Sequence, residues 1–149
     1  QSVLVVGYAV HQGRQVFRAL AKRMDQRLTL DVRLCLDVQR RWGDSTPAEE
    51  LLRRFAERFR TREWPGSRFP AVCYDPRSLA LDAGKRASLH AKCVVVDRQV
   101  AFISSANFTE AAQERNIEVG VLLRVPALAE QLTRHFQALM EAGVLREVE

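Results

Sequence analysis

Long apolar runs are absent from this chain. No stretch approaches the ~18–20 residues that a membrane-crossing helix needs, which argues against a membrane-spanning protein. Nothing of signal-peptide type stands at its start, although it opens at Gln1 rather than Met and a region upstream is expected. Cysteine is scarce and odd in number. Cys35, Cys73 and Cys93 share no Cys-x-x-Cys spacing, so neither a zinc site nor a disulfide framework is indicated. Cys35 and Cys93 fall in strand-like runs and read as buried free thiols, which points to a reducing compartment such as the cytoplasm. Lysine is nearly missing from the basic residues: of 23 Lys and Arg, most are Arg. Internal repeats and linker-like stretches are missing too, so residues 1–149 are expected to form a single domain.

What is present is an ordinary globular composition. Apolar residues make up 47% of 149, too many for a disordered segment and enough for a core. The formal charge is +5, carried by guanidinium groups whose planar fork suits phosphate oxygens. Basicity of this size favours a polyanionic partner, unless it reflects codon usage alone.

Periodicity supplies the elements. Val3-Leu4-Val5-Val6 reads as a buried strand closed by Gly7, and residues 12–24 place Val16, Phe17, Leu20 and Met24 at helical spacing. Residues 28–36 alternate as a strand with one more solvated face. Thr46-Pro47-Ala48-Glu49 has the form of a capping box with Pro at the first helical position. The helix it opens turns Leu51, Leu52, Phe55 and Phe59 inward and crowds Arg53, Arg54, Arg58, Arg60 and Arg62 on its other side, as a solvated face or a phosphate-tracking stripe. Residues 69–74 form a short strand and 75–87 a polar loop. Two strands follow at 89–96 and 100–105, then a short helix at 108–114 and a buried strand at 117–123. The last helix, 126–142, stops at Gly143. Strands alternate with helices throughout, which argues an α/β layered domain.

His90, Lys92 and Asp97 stand in His90-Ala91-Lys92-Cys93-Val94-Val95-Val96-Asp97, and Ser105 and Asn107 follow on the next apolar run. His90 and Lys92 differ by two and so project from one face of a strand. Ser105 and Asn107 do the same, as do Asn116 and Glu118. Three neighbouring strands therefore aim these groups into one pocket, while Cys93 and Val95 point the other way into the core. Such a set can cut a phosphodiester with no metal or other cofactor. It supplies an imidazole to attack phosphorus, an ammonium to hold a phosphate oxygen, and a hydroxyl and an amide to hold the others.

In this scheme His90 is the nucleophile, its other ring nitrogen held by an acceptor, for which Glu118 is the candidate. Lys92, Asn107 and Ser105 bind the phosphate, and a helix starting near Phe108 turns its N-terminus toward it. Asp97 belongs to the catalytic motif but is out of phase with His90 and Lys92, and reads as a structural or network residue. The leaving oxygen needs a second acid. His11 lies on a loop and His135 sits beside Phe136 in the last helix, where packing or exposure explains it. The economical source is His90 of a second copy in a symmetric dimer.

The set of residues resembles the phospholipase D superfamily, whose signature is His-x-Lys-x4-Asp followed by Gly-Ser-x-Asn. Here Ser104-Ser105-Ala106-Asn107 puts Ser104 in the usual Gly place. The short single-motif bacterial members are the most similar, and they imply an α-β-α sandwich around a mixed central sheet and a homodimeric endonuclease. In those members a downstream Glu holds the motif His, and Glu118 in Arg115-Asn116-Ile117-Glu118-Val119 occupies the matching place. More narrowly, residues 106–118 are similar to the phospholipase-D-like component of the DISARM phage-defence system, implying a bacterial cytoplasmic protein with defence-complex partners.

The expectation is a metal-independent phosphodiesterase acting on nucleic acid, DNA above RNA, as a homodimer away from membranes. A non-catalytic nucleic-acid-binding subunit of a defence complex is the alternative. Phospholipid hydrolysis is a third, against which stand the missing membrane-docking stretch and the single motif.

Overall fold

The structure, a computed structural model, describes residues 1–8, 10–109, 112 and 114–148. In chain order the elements are β1 (Ser2–Gly7), α1 (Gly13–Val16), α2 (Arg18–Gln26), β2 (Asp31–Leu36), α3 (Ala48–Arg58) and β3 (Ala71–Tyr74). There follow β4 (Cys93–Val96), β5 (Val100–Ser104), β6 (Gly120–Leu123), α4 (Pro126–Glu141) and β7 (Arg146–Glu147). The seven strands make one sheet in the order β6-β5-β4-β1-β2-β3-β7. β1, β2 and β3 run parallel, and every other pairing is antiparallel, so the sheet is mixed. The expected short helix at 108–114 includes residues 110, 111 and 113, which lie outside the described residues.

Parallel neighbours need crossovers, and the helices between them cover one face of the sheet. Val5, Val32 and Leu34 are buried there against Phe17, Ala21, Met24, Phe59 and Trp64. The alternate positions Leu4, Val6, Cys35, Cys93 and Val95 face the opposite way, onto Ala129 and Phe136 of α4. This is an α-β-α sandwich. The expected alternation of β2 holds at its start, where Asp31 is exposed and Arg33 half-buried between buried Val32 and Leu34. It fails at its end, where helices cover both sides of the sheet and bury Cys35 with Leu34 and Leu36. Leu28 and Leu30 precede β2, and Leu28 is exposed.

The helix at 48–58 forms, but the capping box does not. Pro47 is its N-cap instead of its first residue, and no side chain caps the helix. The Thr46 amide donates to Asp44 Oδ1 (2.9 Å), and the Thr46 carbonyl accepts from the Arg40 guanidinium (2.5 Å). Competing local partners thus hold Thr46 outside the helix. The chain continues from α3 into a wider turn, Phe59–Glu63, and Glu63 Oε2 accepts from the Gly13 amide at 2.6 Å.

Two contacts carry the core's order toward one end of the sheet. Trp64 is 1% exposed, packs 6.0 Å from the Phe59 ring and 5.7 Å from the Phe17 ring, and donates Nε1–H to the Arg68 carbonyl at 2.7 Å. Phe17 in turn lies 6.0 Å from Phe108, whose ring rests on the backbone of Gly7. A Cβ at residue 7 would fall 2.1 Å from Phe108 Cε2, so the close approach requires glycine. At the end of β2, Asp37 Oδ1 accepts from the Leu89 amide at 2.8 Å and so fixes the strand entering β4.

Trp64→Ala removes the largest buried side chain and its hydrogen bond. It is expected to lower unfolding stability by about 3–5 kcal/mol in urea titrations. Burial pushes the Asp37 carboxyl above its ordinary range, against the lowering effect of the Leu89 amide. The folded state therefore holds the proton more tightly than the unfolded state, and stability falls as pH rises from the unfolded pKa through the folded one. Asp37→Asn keeps an oxygen for Leu89 without the buried charge. It is expected to match or exceed wild-type stability at neutral pH and to flatten the decline measured as pH rises above the ordinary carboxyl range.

Candidate functional site

Parallel strands carry their backbone to one edge of a sheet, and here the carboxyl ends of β1 and β2 meet the entrance of β4. His90 and Lys92 lie in the extended segment just before β4, not inside the strand as its apolar pattern suggests. Pairing still reaches them: the Ser104 amide donates to the Lys92 carbonyl at 3.1 Å. Lys92 Nζ stands 3.3 Å from His90 Nδ1 and donates to the His90 carbonyl at 2.9 Å. Tyr8, the residue after β1, packs its ring 4.6 Å from the His90 ring and 5.4 Å beneath the Lys92 ammonium. Gln39 Nε2 donates to the Tyr8 hydroxyl at 2.8 Å.

Beyond β5 the chain stays paired with the approach to β6. The Ser105 amide donates to the Val119 carbonyl (3.0 Å) and the Val119 amide to Ser105 Oγ (3.1 Å). Ser105 Oγ donates in turn to Glu118 Oε2 at 2.5 Å, and Asn116 Nδ2 to Glu118 Oε1 at 3.3 Å. Ser104, in the place where the superfamily has glycine, fits as a turn former. Its hydroxyl donates to the Val119 carbonyl (3.2 Å) and accepts from the Ala106 amide (3.0 Å). Asn107 is half-buried, and its carboxamide oxygen has no hydrogen-bond partner among the described residues.

A cleft of about 580 Å³ is lined by His90, Lys92, Ser104, Ser105 and His135. The structure therefore brings His90, Lys92 and Ser105 to one opening and sets Glu118 behind Ser105. Glu118 does not hold His90 as expected, because Ser105 and Asn116 take its carboxylate. A charged ammonium can only donate, so Lys92 makes His90 Nδ1 the acceptor and leaves the neutral ring's proton on Nε2. In this arrangement the Nε2 lone pair is not free.

Asp97, counted with the catalytic motif, stands at the far end of β4, about 16 Å from Lys92 at the usual rise per residue. Its φ is 52° and that of Arg98 is 55°, which makes the β4–β5 turn. Its carboxylate accepts from the Ser2 amide at 2.7 Å, and its own amide donates to the Ser2 carbonyl at 2.8 Å. The residue clamps this turn to the start of β1 and has no part in the cleft.

Sequence reasoning passed over Tyr8 and Asp37, whose only signal was their place just after apolar strand runs. It treated His135 as a packing residue. The ring does meet Phe136 edge-on at 5.2 Å, but it also borders the His90 cleft. His11 is exposed, and its amide donates to the Phe108 carbonyl at 3.0 Å. Beneath the cleft, burial pushes the Cys93 thiol up to about 11, so it stays protonated at neutral pH and adds no anion. Among the described residues no group of three His, Cys, Asp or Glu side chains forms a metal ligand set. What the cleft offers is an anion subsite beside an imidazole.

The chain is similar to known proteins over most of its length. The family described as cardiolipin synthase, PLD-like domain, matches residues 1–140. The phospholipase D family member Nuc from Salmonella typhimurium superposes with a TM-score of 0.61 at 21% identity, covering 99% of this chain and 81% of that one. NucT from Helicobacter pylori gives 0.61 at 17% identity, with 94% and 79% covered. Phosphatidylserine synthase from Haemophilus influenzae Rd KW20 gives 0.62 at 16% identity, with 99% of this chain but 34% of that one covered. No curated protein matches the chain. At such identities the structural likenesses establish the fold alone, while the family match runs over nearly the whole sequence: the chain belongs to the phospholipase-D-like domain family.

Proposed function

We propose that this protein is a phosphodiesterase that hydrolyses nucleic acid, DNA in the first instance, through a phosphohistidine intermediate at a site completed by a second copy. The observation that carries the reading is the meeting of His90, Lys92 and Ser105 in one cleft, with imidazole and ammonium 3.3 Å apart. A phosphate oxygen is a better acceptor for Lys92 than an imidazole nitrogen, so a bound diester draws the ammonium off Nδ1. Solvent then moves the ring proton from Nε2 to Nδ1, Glu118 rotates from Ser105 to accept it there, and the Nε2 lone pair is freed.

The His90 nitrogen attacks phosphorus, an N–P bond forms, and the bond to the leaving oxygen breaks. That oxygen takes a proton from an imidazolium across the cleft. Water then attacks the phosphohistidine, gives a proton back to the second imidazole and releases His90. Lys92, Ser105 and Asn107 hold the non-bridging oxygens while charge builds on them. The second imidazole is His90 of the partner copy. Support for a partner comes from the sheet edge bordering the site, where Ile117, Val119, Val121, Leu122, Phe102 and Ile103 are exposed. An apolar surface of that extent on a soluble domain marks an interaction face, and a copy docked there lies beside Ser105 and Glu118.

A role in phage defence, with partner proteins, rests on the resemblance of residues 106–118 alone. The buried free thiols suit a reducing cytoplasm. A second reading, phosphodiester chemistry on phospholipids, is favoured by the cardiolipin synthase description of the family and by the fold shared with a phosphatidylserine synthase. Among the described residues no helix is long and apolar enough to cross a membrane.

Purified protein is expected to nick plasmid DNA in excess chelator. His90→Ala and Lys92→Ala are expected to slow cleavage by about a thousandfold or more. Strict dependence on an added divalent ion, or undiminished cleavage by His90→Ala, refutes the mechanism. Salt-sensitive DNA binding without cleavage favours a binding subunit, and turnover of phospholipid vesicles with none of DNA favours the lipid reading. Sedimentation is expected to give a dimer, with His135→Ala retaining cleavage. A monomer whose activity depends on His135 removes the partner's imidazole from the scheme.

A further inference from the structure

Trp42 is 88% exposed, an extreme position for the largest apolar side chain, and it stands on a loop that is firmly built. Arg40 is buried at its base. It donates Nε–H to the Leu79 carbonyl (2.8 Å) and Nη1–H to the carbonyls of Asp44 (2.9 Å) and Thr46 (2.5 Å). Gly43 turns the loop tip at φ 75°. Such a scaffold anchors the loop backbone and leaves the indole open to solvent.

The adjacent Arg41 side chain is exposed and makes no hydrogen bond or ion pair among the described residues. It lines a groove of about 490 Å³ together with Tyr8, Asp37, Gln39, Arg54 and Arg58. Among the described residues Arg58 makes only a stacking contact, 5.7 Å from the Phe55 ring, while Arg54 is tied to Glu50 at 2.7 Å. Two carboxylates border the groove. Asp44 is occupied by the Thr46 amide, and burial raises the Asp37 carboxyl. The groove lies beside the His90 site, since Tyr8 on its wall packs on His90 and accepts from Gln39.

We infer that this groove and Trp42 bind the single-stranded nucleic acid that leads away from the bond being cut. Arg41 and Arg58 meet its phosphates, and a base stacks on the indole. Stacking of this kind needs an unpaired base, because in a duplex each base face is already covered by its neighbours. The inference deepens the nucleic-acid reading of the His90 site and rests on it.

The test uses the His90→Ala chain with a short oligothymidylate, so that binding is read without cleavage. Trp64 is buried and serves as an internal standard for the emission of Trp42. The oligonucleotide is expected to quench the exposed-type emission, and Trp42→Ala is expected to abolish quenching and weaken binding about tenfold. Trp42→Phe restores most of the affinity, and Arg41→Ala reduces the salt dependence by about one counterion. Unchanged affinity in Trp42→Ala, equal quenching by a duplex of the same length, or quenching by anionic phospholipid vesicles but not by the oligonucleotide overturns the inference. Hydrolysis of bis(nitrophenyl) phosphate by the wild-type chain tests the His90 site separately. Hydrolysis without Trp42-dependent binding overturns the track alone, whereas Trp42-dependent binding without hydrolysis supports the track and overturns the catalytic scheme.

Discussion

Where β1 ends, the chain has no side chain at Gly7, and the Phe108 ring lies directly on the backbone there. Most of the site's geometry follows from that approach. Phe108 joins the aromatic cluster through Phe17, which ties the segment leaving β5 to the helices on the far side of the sheet. Val10 bridges to Phe108, and the His11 amide donates to its carbonyl, so the segment leaving β1 is held by the same residue. Tyr8 lies between those anchors and therefore reaches His90. A β-carbon at this one position would separate two strands' worth of functional groups.

Local pattern carried the sheet and the motif well. Apolar doublets and strict alternation located β1, β2, β4 and β5, because a buried strand must present apolar side chains whichever neighbour it finds. The two-residue spacing of His90 and Lys92 carried their shared direction even though both precede β4. Asp97 was legible as out of phase, and its clamp on Ser2 is the physical meaning of that phase.

Failures of the sequence pattern arose where a distant or competing partner decides. The capping box was lost because Arg40 and Asp44, residues with no helical signal, take the polar groups of Thr46. Residues 117–123 look like a buried strand, yet the strand starts only at Gly120, and Ile117, Val119, Val121 and Leu122 lie in the open, since apolar character alone cannot tell a core face from an unoccupied one. Tyr8 and Asp37 come to the site through the order of strands in the sheet, which no short window contains. Glu118 accepts from Ser105 and Asn116, partners that the spacing of the motif does not single out.

One edge of the sheet has a further meaning. β6 is short, terminal in the strand order and carries exposed Val121 and Leu122, with exposed Ile117 and Val119 just ahead of it. Its outward amides and carbonyls form a template onto which any extended polypeptide can add. An uncovered border of this kind favours association at high concentration, and anything that pairs with it suppresses that association.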